Sequence, residues 1–221
     1  MTIFGYIKKF ILIFLKYASL VLFSLVAIIP LVSCVITAFK TDAEYNSTNV
    51  MTPPSSWLYF ENFVSAFKKA GMGRAFINST IILIAVLILS VFIGTQLAYV
   101  LNRFQFFGNT LIRNLFLVAC QLPGVAMQIA VYEMMYKLGF INNMFGYILM
   151  TCGTDVISIY IYIQFFENID YSLDESAIID GANYWQIYWK IMLPLLKPAI
   201  VTSCILKGVG VYNEYYAANL Y

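Results

Sequence analysis

Residues 171–200 read YSLDESAIIDGANYWQIYWKIMLPLLKPAI, an amphipathic and punctuated segment in a chain that is 62% hydrophobic. Ser172 and Glu175 have the spacing of a capping box, which predicts that a helix begins at Ser172. Gly181 permits either a backbone bend or the close approach of another chain. Pro194 and Pro198 then mark the entry into the next apolar run. The segment is therefore predicted to form two short helices, hinged near Gly181, outside the apolar runs that flank it.

The first of these helices is predicted to carry a face of small and aliphatic side chains. Glu175, Ile178, Ile179 and Ala182 follow one another at helical spacing. One interpretation is a helix that docks in the groove of a partner protein. The alternative is a solvated loop whose acidic residues only start a helix. The pattern alone leaves both open.

The composition indicates a membrane protein. The chain has 221 residues, of which 11% are charged, and its mean hydropathy is +0.80. Soluble domains carry about 25% charged residues, so the surplus apolar surface is expected to face lipid. The net charge of +2 is too small and too scattered to suggest a nucleic-acid partner. Histidine, the commonest metal ligand and general base, does not occur.

Apolar runs of roughly 20 residues predict helices that cross a bilayer. The sequence offers five of them, at residues 17–39, 75–102, 114–132, 143–166 and 191–213. No repeat of fixed period and no soluble enzyme domain is evident. The prediction is an all-α membrane protein, with residues 1–221 as a single transmembrane domain.

The distribution of lysine and arginine around these runs gives an orientation. With the N-terminus inside, seven basic residues lie on the cytoplasmic side and five on the outer side. This places residues 171–194 in the cytoplasm. The loop that holds Pro53 and Trp57 is then extracellular.

Two ionisable residues, Asp155 and Lys207, fall inside predicted spans. Charged groups are costly in lipid, so both are expected to face protein, water or each other. They serve either a polar path through the membrane or a structural ion pair, and the sequence leaves both alternatives open.

The segment ESAIIDGANYWQIYWKIMLP (residues 175–194) resembles the EAA loop of permease subunits of ABC importers, E-A-A-x-x-x-G followed by nine variable residues and I-x-L-P. Ser176 departs from the first alanine of that motif. The positions that match it, together with those of its frequent D-G-A form, are Glu175, Ala177, Asp180, Gly181, Ala182, Ile191, Leu193 and Pro194.

Three other segments extend the resemblance along most of the chain. AYVLNRFQFFGN (residues 98–109) is similar to the segment after the second span of these permeases, and VYNEYY (residues 211–216) to an element near the outer end of the fifth. QLPGVAMQIAVYEMMYKLGFINN (residues 121–143) resembles a run found in sugar permeases, in which it supplies Leu122, Pro123, Tyr132, Leu138, Gly139 and Asn142. Together they point to the second permease subunit of the maltose-type, carbohydrate branch.

The resemblance implies a multi-pass protein of the bacterial cell membrane and a set of partners. These are a cytoplasmic ATPase dimer, a second homologous permease, an extracellular sugar-binding protein and membrane lipid. The permease would bind no nucleotide, and the sequence has no G-x-x-x-x-G-K-[ST] loop. No catalytic residue, cofactor, metal or nucleic-acid partner is expected.

The resemblance also implies site residues. Glu175, Ala177, Asp180, Gly181, Ala182, Ile191 and Pro194 are expected to couple the permease to the ATPase. Asp155, Lys207, Tyr212, Asn213 and Glu214 are expected to line the path of the sugar.

Alternatives remain. A permease for a non-sugar solute fits the EAA loop equally well. Members of the family have a sixth span, whereas this sequence stops at AANLY (residues 217–221), just past the fifth predicted span. That suggests a truncated product with its C-terminus outside, and a non-functional membrane protein is the second alternative. An intramembrane enzyme would need paired catalytic groups that the spans do not supply.

Overall fold

The computed structural model describes residues 3–122, 124–153 and 155–221, and the side chains in these ranges except those of residues 3–8, 120, 124 and 125. Every regular element in these ranges is helical. The chain forms two compact units, Met1–Ala75 and Phe76–Tyr221. The predicted all-α fold is confirmed.

The first unit contains a long apolar helix, α1 (Ile3–Ala38), and two short helices, α2 (Asp42–Ser47) and α3 (Glu61–Lys69). The buried Lys40 ammonium organises the connection after α1, because it donates hydrogen bonds to the Asn49 carbonyl at 2.6 Å and the Thr48 hydroxyl at 2.9 Å. Glu44 forms a capping box with Thr41 at the start of α2. Hydrogen bonds from Ser55 and Thr41 lower the pKa of its carboxyl to about 2.

The remaining elements run from α4 to α13. They are α4 (Met72–Arg103), α5 (Asn109–Gln121), α6 (Gly124–Lys137), α7 (Met144–Gly153), α8 (Val156–Glu167), α9 (Ser172–Ile179), α10 (Tyr184–Ile187), a π-helical turn (Tyr188–Met192), α11 (Leu193–Leu195), α12 (Lys197–Asn213) and α13 (Tyr216–Leu220).

Two helices in the described ranges are long and apolar enough to cross a bilayer, Lys9–Ala38 and Met72–Arg103. There are up to four spans if two bent pairs each count as one, Met144–Gly153 with Val156–Glu167 and Tyr184–Leu195 with Lys197–Asn213. These four correspond to the first, second, fourth and fifth predicted spans. The third falls on α5 and α6, on either side of Pro123, and this motif residue lies outside the described residues.

The fifth span was predicted over residues 191–213, and the structure adds a sharp bend within that run. The segments before and after Leu196 are bent by 70° relative to each other. Pro198 lies in the first turn of α12. Because proline has no N–H and its ring clashes with the carbonyl four residues earlier, a helix from Ile191 cannot pass through this point undistorted. The apolar run is therefore divided at Leu196 into two helical segments of different direction.

The core of the second unit lies where α4, α8 and α12 meet the segment after α8. Its buried apolar members are Ala98, Tyr99, Leu101, Ile159, Tyr162, Ile163, Phe166, Ala177, Ile187, Tyr188, Met192, Leu196 and Ala199. The segment singled out by the sequence is thus packed into this core rather than hanging free of it.

We expect Gly146→Ala to destabilise the protein. A Cβ at this position of α7 would lie 2.9 Å from the Phe140 carbonyl oxygen, closer than packed atoms allow. Overpacking of this kind costs about 1–3 kcal/mol. Gly153→Ala in the same helix is the control, since its Cβ would meet no atom within 4 Å. Thermal unfolding in detergent should show a lower Tm for Gly146→Ala alone; equal Tm values for the two variants would contradict the packing described.

Candidate functional site

Helix α9 begins where the sequence predicts, but the predicted cap is wrong. Ser172 is the first residue of the helix, so the N-cap position falls on Tyr171. No side-chain hydrogen bond caps the helix there, and the expected capping box is not formed. Asp170 accepts a hydrogen bond from the Ser172 amide at 2.9 Å, and hydrogen bonds from Ser172 lower the pKa of the Asp170 carboxyl. A capping box does form one helix later, between Asn183 and Gln186 at the start of α10. The N-x-x-Q spacing was its signal in the sequence.

The turn at the end of α9 explains why the EAA-like motif has a glycine at residue 181. Gly181 has a φ of +83°, in the left-handed region that favours glycine. Its amide donates to the Ile178 carbonyl at 2.9 Å, and the Ala182 amide donates to the Ala177 carbonyl at 2.9 Å. This pair of bonds is a Schellman motif, which satisfies the last carbonyls of a helix. Of the two alternatives for Gly181, the bend is confirmed.

The two faces of α9 differ sharply. Glu175, Ile178 and Ile179 are exposed, and Ile179 retains 85% of its accessible surface. Ala177 is buried, and Ala182 packs against the same core cluster. The prediction that Ala182 shares the face of Glu175 is therefore wrong, because the chain has already turned at Gly181. Ile178 and Ile179 together form an exposed aliphatic edge on α9.

The inner face of α9 is held by Arg103, at the end of α4. The Arg103 Nε lies 2.9 Å from Asp174 Oδ2, and their side chains are only 4% and 10% exposed. The same guanidinium donates to the Ile169 carbonyl at 2.9 Å and lies over the Tyr171 ring, 4.2 Å from its centroid. One arginine therefore clamps the end of α8 and the start of α9 to α4.

Further hydrogen bonds complete this cluster. The Tyr99 hydroxyl donates to Asp174 Oδ1 at 3.3 Å, and the Tyr171 hydroxyl donates to the Asn102 carbonyl at 2.7 Å. Burial raises the pKa of the Asp174 carboxyl, while the Arg103 guanidinium acts in the opposite direction. In the sequence, Asp174 is only one of the acidic residues near the predicted helix start, so its role in the clamp was missed.

The second half of the segment reaches the core through a π-helical turn. The Leu193 amide bonds to the Tyr188 carbonyl, five residues back. The turn stands directly before Pro194, which cannot donate to a carbonyl four residues earlier. Ile191 packs against the core cluster, whereas Pro194 is exposed. The Tyr188 hydroxyl, buried here, is hydrogen-bonded to the Thr95 hydroxyl of α4 at 2.7 Å.

A cavity of about 380 Å³, with a mainly apolar lining that also holds several polar groups, lies elsewhere in the same unit, among α7, α8 and α12. Asp155, Lys207 and Glu214 line it, together with Tyr147 and Ser158. Lys207 Nζ lies 3.9 Å from Asp155 Oδ1 and donates to the Thr151 carbonyl at 2.9 Å. The structure thus brings together three of the five residues expected to line a path.

The other two path residues, Tyr212 and Asn213, do not line this cavity. The Tyr212 side chain is exposed. The side-chain amide of Asn213 donates a hydrogen bond to the Val209 carbonyl at 2.8 Å. Their neighbours on the cavity side, Lys207, Gly210 and Glu214, recur at helical spacing. Tyr212 and Asn213 fall off that face of the helix.

The LG-x-x-N part of the sugar-permease-like run also has a physical basis. Gly139 and Asn142 both have positive φ, +70° and +55°. Glycine and asparagine are the residues that adopt such angles most readily, and here they connect α6 to α7.

The described elements are all helical, and they include two to four candidate membrane spans. The chain belongs to the family of binding-protein-dependent transport system inner membrane components, which it matches over residues 14–220. It is therefore an inner-membrane component of a transport system, and the resemblance found in the sequence is confirmed.

Several characterised or named permeases are similar to this chain. It is 29% identical over 202 residues to a diacetylchitobiose uptake system permease protein of Streptomyces coelicolor, covering 91% of this chain and 66% of the relative. It is 30% identical over 217 residues to a probable starch degradation products transport system permease protein of Thermoanaerobacterium thermosulfurigenes, covering 97% and 76%. The chain thus spans about two thirds to three quarters of the length of these relatives.

A solved structure shares the fold. A chain of a bacterial ABC transporter involved in the import of the acidic polysaccharide alginate superposes with a TM-score of 0.76 at 24% identity. The superposition covers 95% of this chain and 73% of that chain.

Proposed function

We propose that this chain is a transmembrane permease subunit of an ATP-driven importer for carbohydrates. The observation that carries the proposal is α9, a short helix with its inner face clamped by Arg103 and its aliphatic outer edge exposed. The family membership supports the transport role. The names of similar permeases, among them those for diacetylchitobiose and for starch degradation products, favour a carbohydrate.

In this proposal α9 docks on a cytoplasmic ATPase subunit. Ile178 and Ile179 supply the apolar contact, and Glu175 and Asp180 supply charges at its rim. Ala177, Gly181 and Ala182 shape the helix end rather than touch the ATPase, because the first is buried and the others form the Schellman turn. Ile191 and Pro194 lie in the segment that connects the docked helix to α12.

The clamp gives the docked helix a route to the membrane. A displacement of α9 by the ATPase acts on Asp174, hence on Arg103 at the end of α4, and through the Phe166–Ile169 segment on α8. Both helices belong to the core of the unit. ATP hydrolysis itself would take place in the ATPase, and a second permease and an extracellular binding protein would complete the importer.

The test is uptake by the assembled importer. The chain, its partner permease and its ATPase are reconstituted in liposomes with the binding protein, and a panel of labelled neutral oligosaccharides, amino acids and polyamines is offered. ATP-dependent accumulation of an oligosaccharide is expected. If only an amino acid or a polyamine accumulates, the transported solute is not a carbohydrate, and that part of the proposal is wrong.

The orientation is a separate prediction. We expect residue 56 to be extracellular and residue 176 to be cytoplasmic, since the charge distribution places their loops on opposite sides. Both are exposed serines, so Ser56→Cys and Ser176→Cys are a matched pair in a background without the native cysteines. An impermeant thiol reagent added to intact cells should label only the first. Labelling of Ser176→Cys from outside would overturn the topology.

A further inference from the structure

We propose that the cavity lined by Asp155, Lys207 and Glu214 is a solute subsite that holds one uncharged sugar unit during passage. This inference rests on the proposed transport function. It adds where the solute contacts the chain and which solute charge the site favours. The cavity lies among α7, α8 and α12, away from the α9 clamp.

Hydrogen-bonding capacity is left over at the charged pair. The Lys207 and Asp155 side chains are 16% and 11% exposed, respectively. Lys207 Nζ and Asp155 Oδ1 are 3.9 Å apart, which is beyond hydrogen-bond distance. Lys207 has three N–H groups, of which one is directed to the Thr151 carbonyl. Asp155 Oδ2 is buried without a hydrogen-bond partner in the described part of the chain. A buried carboxylate oxygen without a donor is costly, so an occupant that donates a hydrogen bond there is favoured.

The few polar groups in this mainly apolar lining can bind the hydroxyls of a sugar. Each sugar hydroxyl donates and accepts, so neighbouring hydroxyls can bridge the Asp155 carboxylate and the Lys207 ammonium. Tyr147 and Ser158 add an aromatic ring and a hydroxyl to the wall. The volume of about 380 Å³ lies at the small end of the range for ligand pockets. It suits a single ring of a longer chain rather than a whole oligosaccharide.

The charges of the lining select against acidic sugars. Two carboxylates and one ammonium line the cavity, so these groups carry a formal charge of −1. Glu214 also directly follows the last residue of α12, where the helix dipole adds negative potential. A uronate is therefore disfavoured, and an uncharged saccharide is the expected occupant.

The experiment separates a solute contact from a structural ion pair. In the reconstituted importer, Asp155→Asn/Lys207→Gln replaces the pair by two neutral amides of similar shape. A purely structural pair tolerates neutral replacement, whereas a solute contact does not. We expect the KM for the best-transported neutral oligosaccharide to rise at least tenfold, with unchanged protein level. The control is Glu133→Gln, at an exposed pair with Lys137, which should leave the KM unchanged.

A second variant tests the charge. Glu214→Gln alters one exposed side chain and is expected to make an oligogalacturonide at least threefold more potent as a competitor of neutral uptake. An unchanged KM in the double variant, or unchanged inhibition by the oligogalacturonide in Glu214→Gln, would overturn the subsite. Because the wild-type importer would still accumulate the neutral oligosaccharide, that result would leave the transport function standing. Absence of any carbohydrate uptake by the wild type would instead remove the function itself.

Discussion

Replacing Arg103 by leucine is expected to lower the free energy of unfolding by about 3–5 kcal/mol, since it leaves the Asp174 carboxylate buried without its partner. The change also removes the donors to the Phe166 and Ile169 carbonyls. For a domain of this length the Tm should fall by roughly 6 °C or more. Thermal unfolding in detergent measures the effect.

The chain offers a matched control for this variant. Arg113 pairs with Glu167, but their side chains are 33% and 49% exposed. Exposed pairs contribute about 0–1 kcal/mol, so Arg113→Leu should shift the Tm little. Arg103→Lys keeps the charge and loses the planar fork, so its Tm should lie between those of the wild type and Arg103→Leu. Equal Tm shifts for Arg103→Leu and Arg113→Leu would contradict the clamp.

Replacing Gly181 by leucine is expected to reduce ATP-driven uptake at least tenfold while leaving membrane insertion intact. The φ of +83° costs a side-chain-bearing residue about 1–2 kcal/mol. If the backbone at residue 181 leaves the left-handed region to avoid this cost, the Schellman turn is lost and α9 points in a different direction. Copurification with the ATPase and the ratio of ATP hydrolysed to sugar transported measure the consequence.

Gly181→Asn distinguishes a conformational role from a contact. Asparagine tolerates the left-handed region, and a Cβ at this position would meet no atom of this chain within 4 Å. If the backbone angle alone matters, the asparagine variant should retain most of its uptake. Loss of ATPase binding in both variants would indicate that the partner approaches the glycine closely. Full uptake by Gly181→Leu would mean that this turn is not needed for coupling.

The sequence predicted the features of this protein that depend on local pattern. Runs of apolar residues are sufficient to indicate membrane helices, and the motif around Gly181 was enough to place a turn there. The same local reasoning failed at Ser172, because the Asp170 carboxylate bonds to the Ser172 amide and the expected box does not form. It did not give the 70° bend at Leu196 either, because Pro194 and Pro198 indicate a break in a helix but not its angle.

The clamp and the cavity could not be predicted, because both depend on residues far apart in the chain. Arg103 marked only the end of a span, and Asp174 only a helix start, until the fold brought them within 2.9 Å. Asp155 and Lys207 were expected to face protein, water or each other, and the fold brings Lys207 Nζ to 3.9 Å from Asp155 Oδ1. Tyr212 and Asn213 were grouped with them because residues 211–216 resemble a family element, and that resemblance does not give the direction in which each helical side chain points.

The docking of α9 on an ATPase can be tested by cross-linking at a single residue. A photoreactive benzoylphenylalanine replaces Ile179, the most exposed side chain on the outer edge of α9, in the assembled importer. The same group replaces Tyr45, an exposed residue of α2 predicted to lie outside the cell. We expect irradiation to join residue 179, and not residue 45, to the ATPase. Adducts of residue 179 with lipid or the partner permease alone, in an importer that still transports, would contradict the account.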